Sequence, residues 1–169
     1  DGRVLRSDAA TRTLWTWGDN SGGQLGDGTT VNKCSPGTVA GGGTTWCFAA
    51  TGFSAKFAIK TDGTLWTWGN NFCGKLGDGT TVNRCSPGTV AGGGTTWCQV
   101  SSGNQIGAAI KTDGTLWTWG NGSATTSVGD NTLTGKVTPI TTFLGGTQWK
   151  TSACGSNYSV AITYIDNYL

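Results

Sequence analysis

Six cysteines and nine aspartates are the residues of this chain that could do chemistry, because its 169 residues include no histidine and no glutamate. Without an imidazole there is no Ser-His-Asp or Cys-His pair, no histidine metal ligand and no acid or base poised near neutrality. Any catalysis would have to come from aspartate alone. Asp62 and Asp113 follow a threonine and precede a glycine, while Asp27, Asp78 and Asp130 stand in Gly-Asp-Gly-like triplets. Such aspartates bond to their own backbone and make turns, and their recurrence in register supports that role over a catalytic pair. The stretch Asp19-Asn20-Ser21-Gly22-Gly23 has the polar beginning of a calcium loop. It lacks the closing bidentate glutamate, and Asn70 replaces its first residue in a second copy. Ala40-Gly41-Gly42-Gly43 has neither the lysine nor the helix of a phosphate cradle. No metal, cofactor or enzymatic activity is expected.

The thiols are Cys34, Cys47, Cys73, Cys85, Cys98 and Cys154, and no close Cys-x-x-Cys pair is present to suggest zinc. Cys34 and Cys47 are separated by the same 13 positions as Cys85 and Cys98. This repetition predicts the bridges Cys34–Cys47 and Cys85–Cys98, with Cys73 and Cys154 left for an additional bridge or a link to another subunit. Bridged cysteines would place the protein in an oxidising setting, extracellular or on a virion surface. The alternative is that the thiols are small apolar side chains.

What must position these residues is a tandem repeat. Leu-Trp-Thr-Trp-Gly occurs at 14–18, 65–69 and 116–120, and residues 13–63 and 64–114 are identical at 37 of 51 positions. A third, divergent copy occupies 115–169, and residues 1–12 precede the first. Periods of this length indicate propellers or solenoids. Thirty glycines, nine tryptophans and abundant threonine predict short strands and tight turns with almost no helix. Each copy reads as four strands: one beginning at Trp46, Trp97 or Trp149; one ending in Ala-Ile; the Leu-Trp-Thr-Trp strand after an Asp-Gly turn; and a proline-bearing edge strand. The fold class is all-β, a β-propeller segment of about three four-stranded antiparallel blades.

The pattern Asp-Gly-Thr-Leu-Trp-Thr-Trp-Gly-x-Asn-x-x-Gly-x-Leu-Gly-Asp-Gly-Thr-Thr resembles the regulator-of-chromosome-condensation repeat from about Thr13 to Ile162. The Ala-Gly-Gly-Gly-Thr-Thr-Trp link and the Ala-Ile-Lys-Thr-Asp-Gly turn resemble its bacterial and bacteriophage versions. The resemblance implies an interaction platform, usually a ring of about seven blades, and carries no exchange-factor activity with it. Three blades leave two flanks to be covered by more blades, another copy or another protein.

The charges, 11 basic against 9 acidic, are scattered, so nucleic acid is not an expected partner. No apolar run is long enough to span a bilayer, and the start lacks a signal peptide's apolar stretch. The nine tryptophans hold repeat-equivalent positions, which favours packing between blades over sugar stacking. Variation concentrates between the first two strands, where Phe53 and Lys56, then Asn104, Gln105 and Ile106, then Asn157 and Tyr158, interrupt an otherwise retained framework. A constant scaffold with one varied loop is the form of a binding surface. Asn121-Gly122-Ser123 and Asn157-Tyr158-Ser159 match the glycosylation triplet. The expected function is a non-enzymatic structural or interaction module of an extracellular or virion assembly, partnered by other subunits or copies of itself. The alternative is an adhesion propeller for cell-surface glycan or protein.

Overall fold

The computed structural model describes residues 12–121, 128–156 and 158–163. Among these residues it is all-β, with one short 3-10 turn at Phe72–Gly74. Two sheets are complete. The first contains β3 (Trp46–Thr51), β4 (Ala55–Lys60), β5 (Leu65–Gly69) and β6 (Arg84–Thr89), and the second β7 (Trp97–Ser102), β8 (Ile106–Lys111), β9 (Leu116–Gly120) and β10 (Lys136–Thr141). Each is antiparallel with neighbours in chain order. They are flanked by two half-sheets: β1 (Trp15–Gly18) with β2 (Lys33–Thr38) before them, and β11 (Trp149–Cys154) with β12 (Ser159–Thr163) after them. The twelve strands thus amount to three blades, disposed as two whole blades and two halves. Each sequence repeat spans the outer half of one blade and the inner half of the next.

The first strands of successive sheets neighbour one another, as β3 does β7 and β7 does β11, which sets them at the inner rim. The outer edge falls to β2, β6 and β10, and each carries one of the chain's three prolines: Pro36, Pro87 and Pro139. An edge strand loses little by lacking an amide donor there.

The core lies between whole blades. Phe57, Ile59, Leu65 and Leu76 of the first meet Trp97, Val100, Ala109 and Trp119 of the second. The tryptophans also stack within each blade. Trp46 meets Trp66 edge-on at 6.2 Å, with the Lys60 ammonium 4.8 and 4.2 Å from the two rings. Trp97, Trp117 and Lys111 repeat the arrangement. A cation shared between indoles adds attraction beyond area burial, on the order of 0.5–2 kcal/mol. Seven of the nine tryptophans are buried or half-buried, and the other two, Trp15 and Trp17, stand on the open edge of the first half-blade.

The cysteine expectation is corrected here, since all six thiols are free. Cys34 lies on β2, the outer strand of one blade, and Cys47 on β3, the inner strand of the next; Cys85 on β6 and Cys98 on β7 repeat the offset. Strands lie about 4.8 Å apart, so opposite edges of a four-stranded sheet are well beyond the roughly 4.4–6.8 Å Cα separation a bridge requires. Cys47 and Cys98 instead donate their thiols to the carbonyls of Ile59 and Ile110, each at 3.3 Å. Cys154 lies near the Ser101 and Ser159 hydroxyls, and Cys73 occupies the 3-10 turn with a φ of 63°.

Candidate functional site

In each blade the turn between the first two strands and the long loop after the third emerge on the same face, because Ala55 at the start of β4 pairs with Gly69 at the end of β5. The long loop is held by one buried asparagine. Asn71 accepts from the Leu76 amide at 2.9 Å and donates to the Thr80 carbonyl at 3.0 Å and the Asp78 carboxylate at 3.1 Å. Asn20 makes the same bonds to Leu25, Thr29 and Asp27. An amide carries donors and an acceptor on one small group, so a single side chain satisfies both arms of the loop. This role went unread in the sequence, although Asn20 and Asn71 are repeat-equivalent.

The aspartates make turns. Asp78 accepts from the Thr80 amide and hydroxyl and from Arg84, and Asp27 from the equivalent Thr29 groups, with Lys33 3.4 Å away. Burial pushes both carboxyls up, yet these bonds and cations outweigh it and hold them below the ordinary value. Asp62 and Asp113 are lowered by the Thr64 and Thr115 hydroxyls and amides. Each of these four carboxylates is therefore an acceptor fixed in its own turn and held below its ordinary value, the reverse of what a general acid needs.

The three inner turns come together at the inner rim. Gly52, Gly103 and Gly155 nest in series: a Cβ on Gly52 would collide with the Gly103 carbonyl, and one on Gly103 with that of Gly155. Around them lies a shallow cleft of about 440 Å³, lined by Phe53, Ser102, Asn104, Cys154 and Ser156. A second, of about 450 Å³, lies beside it between Asp19, Gln24, Phe53, Ser54 and Asn70.

The varied positions divide. Phe53 is 85% exposed and Tyr158 65% exposed. Asn104 is half-buried, and its carbonyl accepts from the Lys75 ammonium at 3.2 Å; Gln105 bonds Asn121 at 2.7 Å. Lys56 is half-buried and donates to the Gly52 carbonyl, bracing its own turn. Ile106 is no surface residue: it opens β8 and is buried in the core. Asn157, the acceptor of one glycosylation triplet, and Gly122-Ser123 of the other lie outside the described residues.

Two residues missed in the sequence belong to this face. Phe72, 67% exposed, replaces Ser21 of the first copy. Lys75 replaces Gln24; it is buried, donates to the Ser54 hydroxyl at 2.7 Å, and burial lowers its pKa. Both substitutions fall in the loop whose ends are otherwise retained, and comparison of the copies there would have found them.

Four-stranded antiparallel sheets, packed face to face and built from a tandem repeat, define a β-propeller segment with a turn-lined inner mouth. The chain belongs to the regulator of chromosome condensation (RCC1) repeat family, whose model matches residues 13–53 and 62–110, a second model of that description matching 97–124. Human E3 ubiquitin-protein ligase HERC2 is 31% identical over 172 residues, 96% of this chain and 4% of HERC2. The Arabidopsis thaliana ultraviolet-B receptor UVR8 is 31% identical over 154 residues, 89% of this chain and 34% of the receptor. Yeast RCC1 (Prp20), solved bound to Kap60, superposes with a TM-score of 0.72 at 22% identity, over 90% of this chain and 38% of that one. The chain thus spans a minor part of each relative's length. These relatives are eukaryotic and lend no support to the bacterial or bacteriophage version. With the thiols free, the cysteine argument for an extracellular or virion setting no longer applies.

Proposed function

We propose that this chain is a non-enzymatic protein-interaction module whose partner docks on the turn face at the inner mouth. The observation that carries this reading is the set of exposed aromatic rings, Phe53, Phe72 and Tyr158, standing on that face at positions where otherwise similar repeats differ. Exposed aromatics on a rigid scaffold supply large contact area at little entropic cost, and such residues dominate binding at protein interfaces. Asn104, Ser102 and Asn70 around them supply the polar rim. Support also comes from the family: yeast Prp20 has been solved bound to Kap60, and its binding to Gsp1p and histones has been described. The partner here is a folded protein surface or a peptide with apolar anchors. The glycan alternative loses its main support, because the tryptophans that suggested it lie in the blades or on the open edge rather than on this face.

The experiment is quantitative affinity capture with the intact chain beside Phe53→Asp and Tyr158→Asp variants whose melts match it. The expected result is a protein retained by the parent and lost from both variants. Retention of every captured protein by both variants would refute the assignment.

A further inference from the structure

Two differences between the first and second repeats change the charge of the long loop. Asn70 stands where the first repeat has Asp19, and Lys75 where it has Gln24. An amide takes the place of a carboxylate and an ammonium that of an amide, so both exchanges make the second loop more positive. Asn70 lines the cleft of about 450 Å³ beside Phe53, and Lys75 lies behind Ser54 in the same wall. We propose that this cleft binds a carboxylate side chain of a protein partner, an aspartate or glutamate next to an apolar anchor. The site belongs to the docking face proposed above, and its assignment rests on that reading.

The polar side chains of this wall have spent their acceptors and kept their donors. The side-chain carbonyl of Asn70 accepts from the Phe72 amide at 3.0 Å, and that of Asn83 from the Asn71 amide at 2.8 Å. Each carboxamide is thereby left with its NH2 group to donate. Ser54 Oγ accepts from the Lys75 ammonium at 2.7 Å, which leaves its own hydrogen to donate as well. Among the described residues none of these three groups has an acceptor for that hydrogen. An ionised carboxylate only accepts, and its bonds from such donors are charge-assisted.

Lys75 supplies the charge. It is 4% exposed, and lysine is seldom so buried unless paired. The cations of the outer strands have partners: Lys33 has Asp27, Arg84 has Asp78 and Lys136 has Asp130. Among the described residues Lys75 has no carboxylate; it bonds to the Ser54 hydroxyl and, at 3.2 Å, to the Asn104 carbonyl. Burial lowers its pKa, an effect that the Cys73 thiol opposes and Lys56 reinforces. A carboxylate arriving at Ser54 offsets both the burial and the neighbouring cation. Asp19 lies across the cleft, where it accepts from Ser21 and Gln24 and acts electrostatically on Lys56. Two cations against one carboxylate leave the site positive. Phe53 forms the adjoining wall, against which the partner's apolar group packs.

Fluorescence anisotropy of labelled peptides with the intact chain tests this assignment. Each probe sets Asp or Glu beside Leu or Phe, and its twin carries Asn or Gln instead. The acidic twin is expected to bind more tightly on the order of tenfold, as one charge-assisted hydrogen bond provides. Lys75→Gln, which puts the first repeat's residue at this position, is expected to bind both twins equally. Asn70→Asp keeps the acceptor for the Phe72 amide but returns a carboxylate to the wall, and is expected to lose the preference too. Melts close to the parent's show that the variants are folded, and Lys75→Arg should retain the preference. Phe53→Ala should weaken both twins alike and leave their ratio intact. A parent without preference for the acidic twins, whether it binds both or neither, overturns the carboxylate site. So does a preference that either folded variant, Lys75→Gln or Asn70→Asp, retains. A preference that both variants abolish, in binding that Phe53→Ala and Tyr158→Ala leave untouched, would support the carboxylate site and remove the aromatic docking face instead.

Discussion

The indole N–H of Trp68 donates to the carbonyl of Gln24, 44 residues earlier and 3.1 Å away, and Trp119 repeats the bond to Lys75 at 2.8 Å. Each third-strand tryptophan thereby ties its blade to the loop of the preceding repeat. The approach is close enough that a Cβ on Gly26 or Gly77 would collide with the ring, and both glycines take a positive φ, 68° and 67°. Tryptophan and glycine are therefore one device written in two places of the repeat, fixing the spacing of blades on which the turn face depends.

Replacing Trp68 or Trp119 by Ala is expected to destabilise the chain by about 3–5 kcal/mol, the usual cost of truncating a buried aromatic. Trp68→Phe keeps most of the apolar contact and leaves the Gln24 carbonyl unpaired, with an expected cost of about 1–3 kcal/mol. Denaturant titration followed by fluorescence separates the two. Equal midpoints for Trp68→Ala and the parent would show that the ring does not join the blades.

Asn71 serves as a loop pin, so Asn71→Ala is expected to cost about 1–3 kcal/mol by stranding the Leu76 amide and the Thr80 carbonyl. Asn71→Asp keeps the acceptor but sets a second carboxylate beside Asp78, and is expected to be no better tolerated. Hydrogen exchange locates the damage: protection should fall in residues 70–83 while β7 and β8 are spared. Uniform loss across both blades would mean that the loop does not unfold separately.

The four-strand unit, the edge prolines and the Trp-rich third strand were legible because period, turn dipeptides and proline act locally. Asn71 was not, since its burial depends on both ends of a loop closing over it. The cysteine spacing misled for a related reason: 13 residues span an outer strand, a crossing and an inner strand, and sequence distance does not show that the path runs from one edge of a blade to the opposite edge of the next. Ile106 looked like part of a variable loop because the copies differ there, yet it opens β8 as Ala55 opens β4, and both positions are buried. Phe53 and Tyr158, by contrast, are exposed in the turns where copy-to-copy variation placed them.

Free thiols make a redox prediction. Thermal melts with and without reductant are expected to coincide, and denatured protein should titrate six thiols. In the native state Cys34 and Cys47, both exposed, should alkylate ahead of Cys154, whose pKa burial raises. A drop in melting temperature with reductant would show that a bridge forms.

The acid limb of stability follows from the turns. Asp78 has a nearly buried side chain; burial raises its pKa, and the bonds from Arg84 and Thr80 bring it below the ordinary 3.8. Asp27 is lowered from the same reference against the same opposing burial, and Asp62 chiefly by the Thr64 hydroxyl. A carboxyl whose folded pKa is depressed contributes stability that is fully present above its unfolded value and lost as pH falls through its folded value. The melting temperature is therefore expected to hold steady between about pH 5 and 7, where no histidine titrates, and to fall as pH drops below about 4. Asp78→Asn should lower stability at neutral pH and flatten part of this acid slope. Asp113→Asn should do little, since that carboxylate is fully exposed in its turn and its threonine bonds compete with water. Melts followed by circular dichroism across the range decide it: a stability step between pH 5 and 7, or an acid slope that Asp78→Asn leaves untouched, would show that these turn aspartates do not set the acid sensitivity of the fold.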